Sequence, residues 1–261
     1  MNINEFILNL KKINIDITEE QLKQLEEYYN LLIEWNSKIN LTRIVEKEDV
    51  YLKHFYDSAT INKIINLNEI SNFCDFGTGA GFPGLVIKIL FPKLNVTLVD
   101  SLNKRINFLN QVIEKLNLKN ITTVHSRIED FARENRNKFD LVTARGVAPL
   151  NILLEYAMPI VKKDKYFLAM KSNITEELKL SENAIKVMNA KLVKKEEFLL
   201  PYEESNRTLL LFEKVEITNN KYPRNNNEIK KRPLWKIEKS IFFNYFPKFY
   251  WNISQIIVSC I

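Results

Sequence analysis

Glycine is rare in this chain, and its distribution is the feature that most restricts the possible fold. Four of the five glycines lie within one short stretch, DFGTGAGFPG, which runs from Asp75 to Gly84. Glycine adopts backbone conformations that other residues avoid, and it lets the main chain approach a ligand closely. The stretch follows an apolar segment, FCDF, and precedes a helical one, GLVIKILF. It therefore predicts a ligand-binding turn between a strand and a helix.

After Asn72, short apolar segments alternate with segments of helical periodicity. The apolar segments are FCDF, NVTLVD, ITTVHSR, FDLVTAR, KYFLAMK, KLVKKEEFLL and TLLLFEKV. This alternation with short links predicts an α/β fold, a Rossmann-like parallel sheet covered by helices on both faces. Little helix separates the last two segments, so they predict a terminal antiparallel hairpin or edge strand.

The first part of the chain, residues 1–70, is predicted to be helical. Apolar residues recur at helical spacing through residues 19–40. Thr18 and Gln21 form the pattern of a capping box at the start of this helix. A second helix is predicted over residues 47–65.

The glycine loop fits two classes of adenosine-containing cofactor. Gly79, Gly81 and Gly84 satisfy the dinucleotide pattern G-x-G-x-x-G, whereas the earlier part, Asp-x-Gly-x-Gly-x-Gly, is the pattern expected around S-adenosylmethionine. Both classes use an acidic residue at the end of the second strand to bind ribose hydroxyls, and Asp100 in LVDS fits this role. Asp75 favours S-adenosylmethionine, because a carboxylate before the glycines suits a cationic amino acid group and would repel a pyrophosphate.

Composition and charge restrict the compartment and the partners. Cys74 and Cys260 form neither a paired framework nor a zinc-type cluster, and the sequence shows no signal peptide or long apolar run. We therefore expect a cytoplasmic protein without a metal or a membrane partner. The formal net charge is +6, and nine Lys or Arg against three Glu from Lys214 onward account for all of it. The basic segment KYPRNNNEIKKRP is typical of either a nucleic-acid contact or a solvated tail.

Seven segments in order carry a family resemblance: WNSKINLT, KHFYDS, DFGTGAGFPG, DSLNKRINFL, HSRIED, TARGVAPL and AMKS. Through them the chain resembles the glucose-inhibited division protein B family, ribosomal RNA small-subunit (16S) methyltransferases that form 7-methylguanosine with S-adenosylmethionine. YPRNNNEIKKRPL resembles the basic ending of the family, although NNNE replaces the usual Gly-x-Pro turn. Gly146 stands where the family commonly has alanine. The resemblance covers roughly residues 20–234, and residues 235–261 match nothing in it.

The resemblance implies a fold, that of a class I S-adenosylmethionine-dependent methyltransferase, and a cofactor site. Ile128 and Glu129 would flank the adenine, and Arg145 would close the site. Asp75 and Asp100 would lie at the methionine and ribose ends of the cofactor. The complete implied set is Asp75, Gly77, Gly79, Phe82, Asp100, Ile128, Glu129 and Arg145.

The resemblance also implies groups that act on the RNA. Arg145 and Lys171 are the candidate catalytic residues, since either side chain could donate a hydrogen bond to guanine O6. Lys171, His54, Asp57 and Arg127 are candidates for the RNA-facing side. His54 and Asp57 are three residues apart, so they share one helical face and could instead form a helix-to-domain hydrogen bond.

The predicted organisation has four parts. A helical region (1–70) precedes a methyltransferase domain (71–216), a basic RNA-binding segment (217–234) and an unassigned tail (235–261). We expect a monomer that acts on small-subunit ribosomal RNA or the 30S subunit. Two alternatives stay open from the sequence: an NAD-dependent oxidoreductase on the same fold, and a non-catalytic RNA-binding factor in ribosome assembly.

Overall fold

The computed structural model describes residues 1–235, and its centre is one seven-stranded sheet. The spatial order of the strands is β3-β2-β1-β4-β5-β7-β6. Strands β1 to β5 are parallel, and β7 is antiparallel to both β5 and β6. The predicted parallel sheet and the predicted terminal hairpin are both confirmed. In chain order, the strands are Asn72–Phe76, Asn95–Asp100, Ile121–His125, Phe139–Arg145, Val161–Lys171, Ala190–Leu199 and Asn206–Lys214.

Helices precede the sheet and cover both of its faces. The predicted capping box is present, since Thr18 accepts from the Gln21 N–H and the Gln21 side chain accepts from the Thr18 N–H. Within the described part of the chain, no helix is both long and apolar enough to cross a membrane. In chain order α1 to α11 are Ile3–Lys12, Glu19–Ile39, Lys47–Val50, Asp57–Ala59, Gly84–Leu90, Asn103–Lys115, Ile128–Glu134, Leu150–Ala157, Thr175–Leu180, Glu182–Val187 and Asn226–Lys231.

The second predicted helix is a succession of different helical turns. Between α3 and α4 the chain forms a π-helix, Tyr51–Tyr56, and a 3-10 turn, Thr60–Lys63, follows α4. Five of the six π-helical residues are buried, so this segment is enclosed around most of its circumference. A regular amphipathic helix buries only one face, whereas this segment is buried on most sides. The wider π-helical turn at this place is the difference from the regular helix that the sequence predicts.

The N-terminal helices pack on the same face of the sheet as α5 and α6. Phe6, Leu25 and Phe55 belong to one apolar cluster with Leu85 and Phe108 of that face. A second cluster on the other face is centred on α8 and includes the side chains of Leu150, Leu153, Phe167 and Phe212. The helical region consequently shares a core with the sheet that carries the glycine loop.

The basic ending is docked on the rest of the protein through buried polar contacts. Arg224 forms an ion pair of 2.6 Å with Glu155, whose side chain is 1% exposed, and its main-chain N–H donates to the same carboxylate. The Arg136 guanidinium donates to the carbonyls of Thr218 and Tyr222. The sequence NNNE begins α11, which the Asn225 side chain caps. Of the predicted tail, residues 236–261 lie outside the described residues.

Candidate active site

The glycine loop connects the carboxyl end of β1 to α5. Gly77 and Gly79 have φ angles of 64° and 62°, in the left-handed region that favours glycine. A Cβ atom on Gly77 would lie 2.5 Å from a methyl group of Val147, so a side chain there would collide. A Cβ atom on Gly79 would have only the Gly77 carbonyl oxygen nearby, at 4.0 Å. The main chain at Gly79 is thus open to close approach by a ligand.

Asp100 ends β2 and fixes the loop to this strand. Its carboxylate is 2% exposed and accepts from the main-chain N–H groups of Gly79 and Leu102, both at 2.9 Å. Arg105 donates to the same carboxylate at 3.3 Å. Each carboxylate oxygen can accept more than one hydrogen bond, so Asp100 can also accept from hydroxyl groups of a bound ribose.

Asp75 lies beneath the loop and is fully buried. Its Oδ2 atom accepts from the Thr78 hydroxyl at 2.6 Å and from the Gly84 N–H at 2.8 Å. Its Oδ1 atom is buried without a hydrogen-bond partner among residues 1–235. Burial raises the pKa of Asp75 to about 7, because it opposes the charge more strongly than the two hydrogen bonds favour it. A positively charged ligand group beside Oδ1 would compensate this carboxylate.

Aromatic side chains of the N-terminal helices support the loop from one side. The Phe82 ring stacks on His54 at a centroid distance of 4.3 Å and lies 5.5 Å from Tyr28. Tyr28 also stacks on Phe55, and its hydroxyl donates to the main-chain carbonyl of Ala80 in the loop. Burial raises the pKa of Tyr28 well above its usual value, so the hydroxyl stays a donor. The helical spacing of apolar residues in 19–40 predicts Tyr28 only as a core residue. No feature of the sequence indicates its contact with the loop.

Arg145, at the end of β4, is fixed by the π-helix and α4. Its Nη1 donates to Asp57 Oδ2 at 2.9 Å and to the Lys53 carbonyl at 3.0 Å, and its Nη2 lies 3.2 Å from His54 Nδ1. The other oxygen of Asp57 accepts from Arg207 Nε at 2.9 Å. His54 and Asp57 are both buried, so the structure contains the helix-to-domain contact that their spacing allowed. Arg207 was not singled out from the sequence, where it stands far from every other residue of this group.

His54 is neutral in this setting. Burial, assisted by the charge of Arg145, lowers its pKa to about 3. Neutral imidazole has one acceptor nitrogen, and because Nδ1 faces the Arg145 guanidinium it takes that role. The proton then lies on Nε2, which is 3.0 Å from the Thr42 hydroxyl. His54 therefore orients Arg145 and stacks on Phe82 at the same time.

Lys171 ends β5, the strand next to β4. Its Nζ forms an ion pair of 2.7 Å with Glu177 and donates to the Ala148 carbonyl at 3.1 Å. Arg145 is in register with Met170, so Arg145 and Lys171 lie at the same edge of the sheet but leave their neighbouring strands on opposite faces. Arg145 has five N–H donors and Lys171 has three, and both retain donors that have no partner among the described residues.

The start of α7 follows β3 at the same edge. Glu129 is buried, whereas Arg127, 3.8 Å away, has a side chain that is 65% exposed. Ile128 packs against the second apolar cluster. The glycine loop, Asp100, the start of α7 and Arg145 thus lie at the carboxyl ends of β1, β2, β3 and β4, along one edge of the sheet. Within residues 1–235, no group of three or more His, Cys, Asp or Glu side chains is arranged to hold a metal ion.

The strand order 3-2-1-4-5-7-6, with the seventh strand inserted antiparallel, defines a class I S-adenosylmethionine-dependent methyltransferase. The crystal structure of M. jannaschii TYW2 in complex with AdoMet shares this fold. It has a TM-score of 0.50 and 15% identity, covering 66% of this chain and 79% of that chain.

The chain belongs to the GidB family, rRNA small subunit methyltransferase G, whose family model matches residues 21–205. The ribosomal RNA small subunit methyltransferases G of Bacillus velezensis and Bacillus subtilis are 48% and 47% identical to it over 237 residues. Each comparison covers 90% of this chain and 99% of the relative. The family resemblance carried by the seven sequence segments is confirmed.

Proposed function

We propose that this protein transfers a methyl group from S-adenosylmethionine to N7 of one guanine in small-subunit (16S) ribosomal RNA. Family membership over most of the chain is the observation that carries this proposal. The guanine N7 position follows from the resemblance of the motifs to those of the family. We further propose that the protein acts as a cytoplasmic monomer on ribosomal RNA or on the 30S subunit.

The residues around the glycine loop fit the cofactor. The open main chain at Gly79 allows close approach, and the Asp100 carboxylate would accept from the ribose hydroxyls. The unpartnered oxygen of Asp75 suits a positively charged amino acid end, and Ile128 and Glu129 would flank the adenine. When bound, S-adenosylmethionine would supply a methyl group made electrophilic by its sulfonium.

The proposed reaction requires orientation from this chain rather than a general base. Guanine N7 carries an in-plane lone pair and no proton, so no side chain has to remove one. The contribution of the protein is to align the base and exclude water, an effect worth several kcal/mol. Arg145 and Lys171 would donate to guanine O6, and neutral His54 would keep the Arg145 guanidinium in place.

The deciding experiment supplies labelled S-adenosylmethionine and small subunits that lack the modification, followed by nucleoside analysis. We expect labelled 7-methylguanosine. Cofactor binding without transfer would favour a non-catalytic assembly factor, and stabilisation by NAD instead of S-adenosylmethionine would favour an oxidoreductase.

Single variants test the two proposed catalytic residues. We expect Arg145→Ala and Lys171→Ala each to lower kcat by about ten- to one-hundred-fold, since each removes a charge-assisted hydrogen bond worth about 1.5–3 kcal/mol. Arg133→Ala and Lys163→Ala, which remove exposed ion pairs, are the matched controls. Urea unfolding reports whether each variant is folded. Full turnover of both Arg145→Ala and Lys171→Ala on RNA would exclude the assigned roles.

A further inference from the structure

The segment WNSKINLT, residues 35–42, spans the end of α2, and none of its residues enters the proposed reaction directly. The helix stops at Asn40, whose φ of 53° lies in the left-handed region. The Asn36 side chain covers this turn. Its Oδ1 accepts from the main-chain N–H groups of Leu41 at 2.6 Å and of Thr42 at 2.8 Å. Asn36 thereby fixes the main chain at Thr42.

The side chain of Thr42 is also fixed, and it contacts His54. Its Oγ1 accepts from the Ile44 N–H at 3.1 Å and lies 3.0 Å from His54 Nε2. Arginine carries only donors, so the contact between Arg145 Nη2 and His54 Nδ1 requires Nδ1 to accept and places the ring proton on Nε2. Nε2 therefore donates to Thr42, whose two acceptor positions are then both occupied.

A continuous series of hydrogen bonds thus joins the end of α2 to the end of β4. It runs from Asn36 through Thr42 and His54 to Arg145. His54 is only 9% exposed, so its ring N–H would have little access to water if it lost the Thr42 hydroxyl. A buried donor without an acceptor is costly, and rotation of the ring would relieve it. Arg145 would then lose its contact with the imidazole.

We propose that Thr42 is a positioning residue in the methyl transfer, because its hydroxyl holds the His54 ring in the orientation that directs Arg145 toward the guanine. This inference rests on the proposed function, in which Arg145 donates to guanine O6. Only the hydroxyl is required for this role. Serine should therefore replace Thr42, whereas valine, which has nearly the same shape, should not.

The ring N–H of His54 gives a test that does not depend on activity. The chain contains two histidines, and His125 is exposed, so a His125→Gln variant assigns the ring signals of protein labelled with nitrogen-15 histidine. In wild type we expect the proton on Nε2 and a ring N–H signal that is protected from exchange with water. Thr42→Ser should keep this signal and Thr42→Val should lose it. A proton on Nδ1 in wild type, or a protected signal in Thr42→Val, would overturn the proposal.

Methyl-transfer kinetics test whether this hydrogen bond serves Arg145. We expect Thr42→Val to lower kcat by about five- to ten-fold, as the loss of one acceptor for a buried donor does, and Thr42→Ser to stay within about two-fold of wild type. In the Arg145→Ala background, Thr42→Val should change kcat by less than about two-fold, because two variants that remove one shared interaction are not additive. An equal loss in both backgrounds would exclude a role through Arg145.

Thr123→Val is the matched control, since it makes the same change at a distant position. The Thr123 hydroxyl donates to Asn110 at 2.7 Å on β3, which lies three strands from β4. We expect its kcat to stay within about two-fold of wild type and the His54 ring signal to be unchanged. A comparable loss of kcat in Thr123→Val would overturn the specific role of Thr42. Absence of methyl transfer by wild type would instead overturn the proposed function, and the positioning role with it.

Discussion

At the scale of single residues, Asp75 links the glycine loop to the stability of the protein. Its pKa rises from 3.8 to about 7 on folding, mainly because the carboxyl is buried. An acid with a raised pKa in the folded state binds its proton more tightly there than in the unfolded chain. The stability that this proton gives is present in full below about pH 4 and is lost as pH rises through 7.

The variant Asp75→Asn should remove this pH dependence in the protein without cofactor. Relative to wild type, we expect its free energy of unfolding to increase between pH 4 and pH 7, by up to about 4 kcal/mol. Urea unfolding at several pH values measures the difference. Asp16→Asn, at an exposed position, is the control and should differ from wild type by a constant amount. If the difference in free energy of unfolding between Asp75→Asn and wild type also stays constant with pH, the expectation is contradicted.

At the scale of elements, α2 and the glycine loop act together through Tyr28. The hydroxyl of Tyr28 donates to the Ala80 carbonyl, and a Cβ atom on Gly81 would lie 2.7 Å from it. Its ring contacts Phe55 and Phe82. The N-terminal helices therefore hold the loop in shape before any ligand binds, which lowers the cost of ordering it on binding.

Tyr28→Phe keeps the ring and removes the hydrogen bond to the loop. We expect the Kd for S-adenosylmethionine to rise by about five- to ten-fold, the effect of one buried hydrogen bond of about 1 kcal/mol. KM for RNA should change little. The neighbouring variant Tyr29→Phe removes an exposed hydrogen bond to the Val45 carbonyl and serves as control, with unchanged cofactor affinity. Equal effects of the two variants would argue against a role for Tyr28 in positioning the loop.

The elements themselves were well predicted where the pattern was local. Spacing in the sequence predicts the capping box of Thr18 and Gln21 and the terminal hairpin. It also predicts the order in which the candidate site residues occur along the edge of the sheet. The π-helix Tyr51–Tyr56 was not predicted, because its shape depends on burial from several sides.

At the scale of the whole molecule, the positive charges of the ending lie in two different settings. Arg224 is held by the buried carboxylate of Glu155 and fixes the ending to α8. Lys230 and Lys231 stay exposed at the end of α11 and are free to contact phosphate. Sequence alone treated these residues as one basic segment, and only the docked structure separates a structural arginine from exposed lysines.

The double variant Lys230→Ala/Lys231→Ala tests the role of the exposed charges in RNA binding. If both lysines neutralise phosphates, the slope of log K against log salt concentration should fall by about 1.5, and affinity should drop most at low salt. Lys93→Ala/Lys119→Ala is the control, because these exposed lysines precede β2 and β3 at the opposite edge of the sheet. If the salt slope is unchanged in the Lys230/Lys231 variant, the RNA does not contact these two lysines.

The sequence by itself determined the class of fold, the position of the glycine loop and the acidic residue that ends β2. These features depend on local periodicity and on glycine, whose backbone preferences act within a few residues. Only the tertiary structure decided that Arg145 is held by His54 and Asp57, and that Arg207 completes this group. Those contacts join residues 91, 88 and 150 positions apart, and such pairings are set by how the π-helix, α4, β4 and β7 pack against one another.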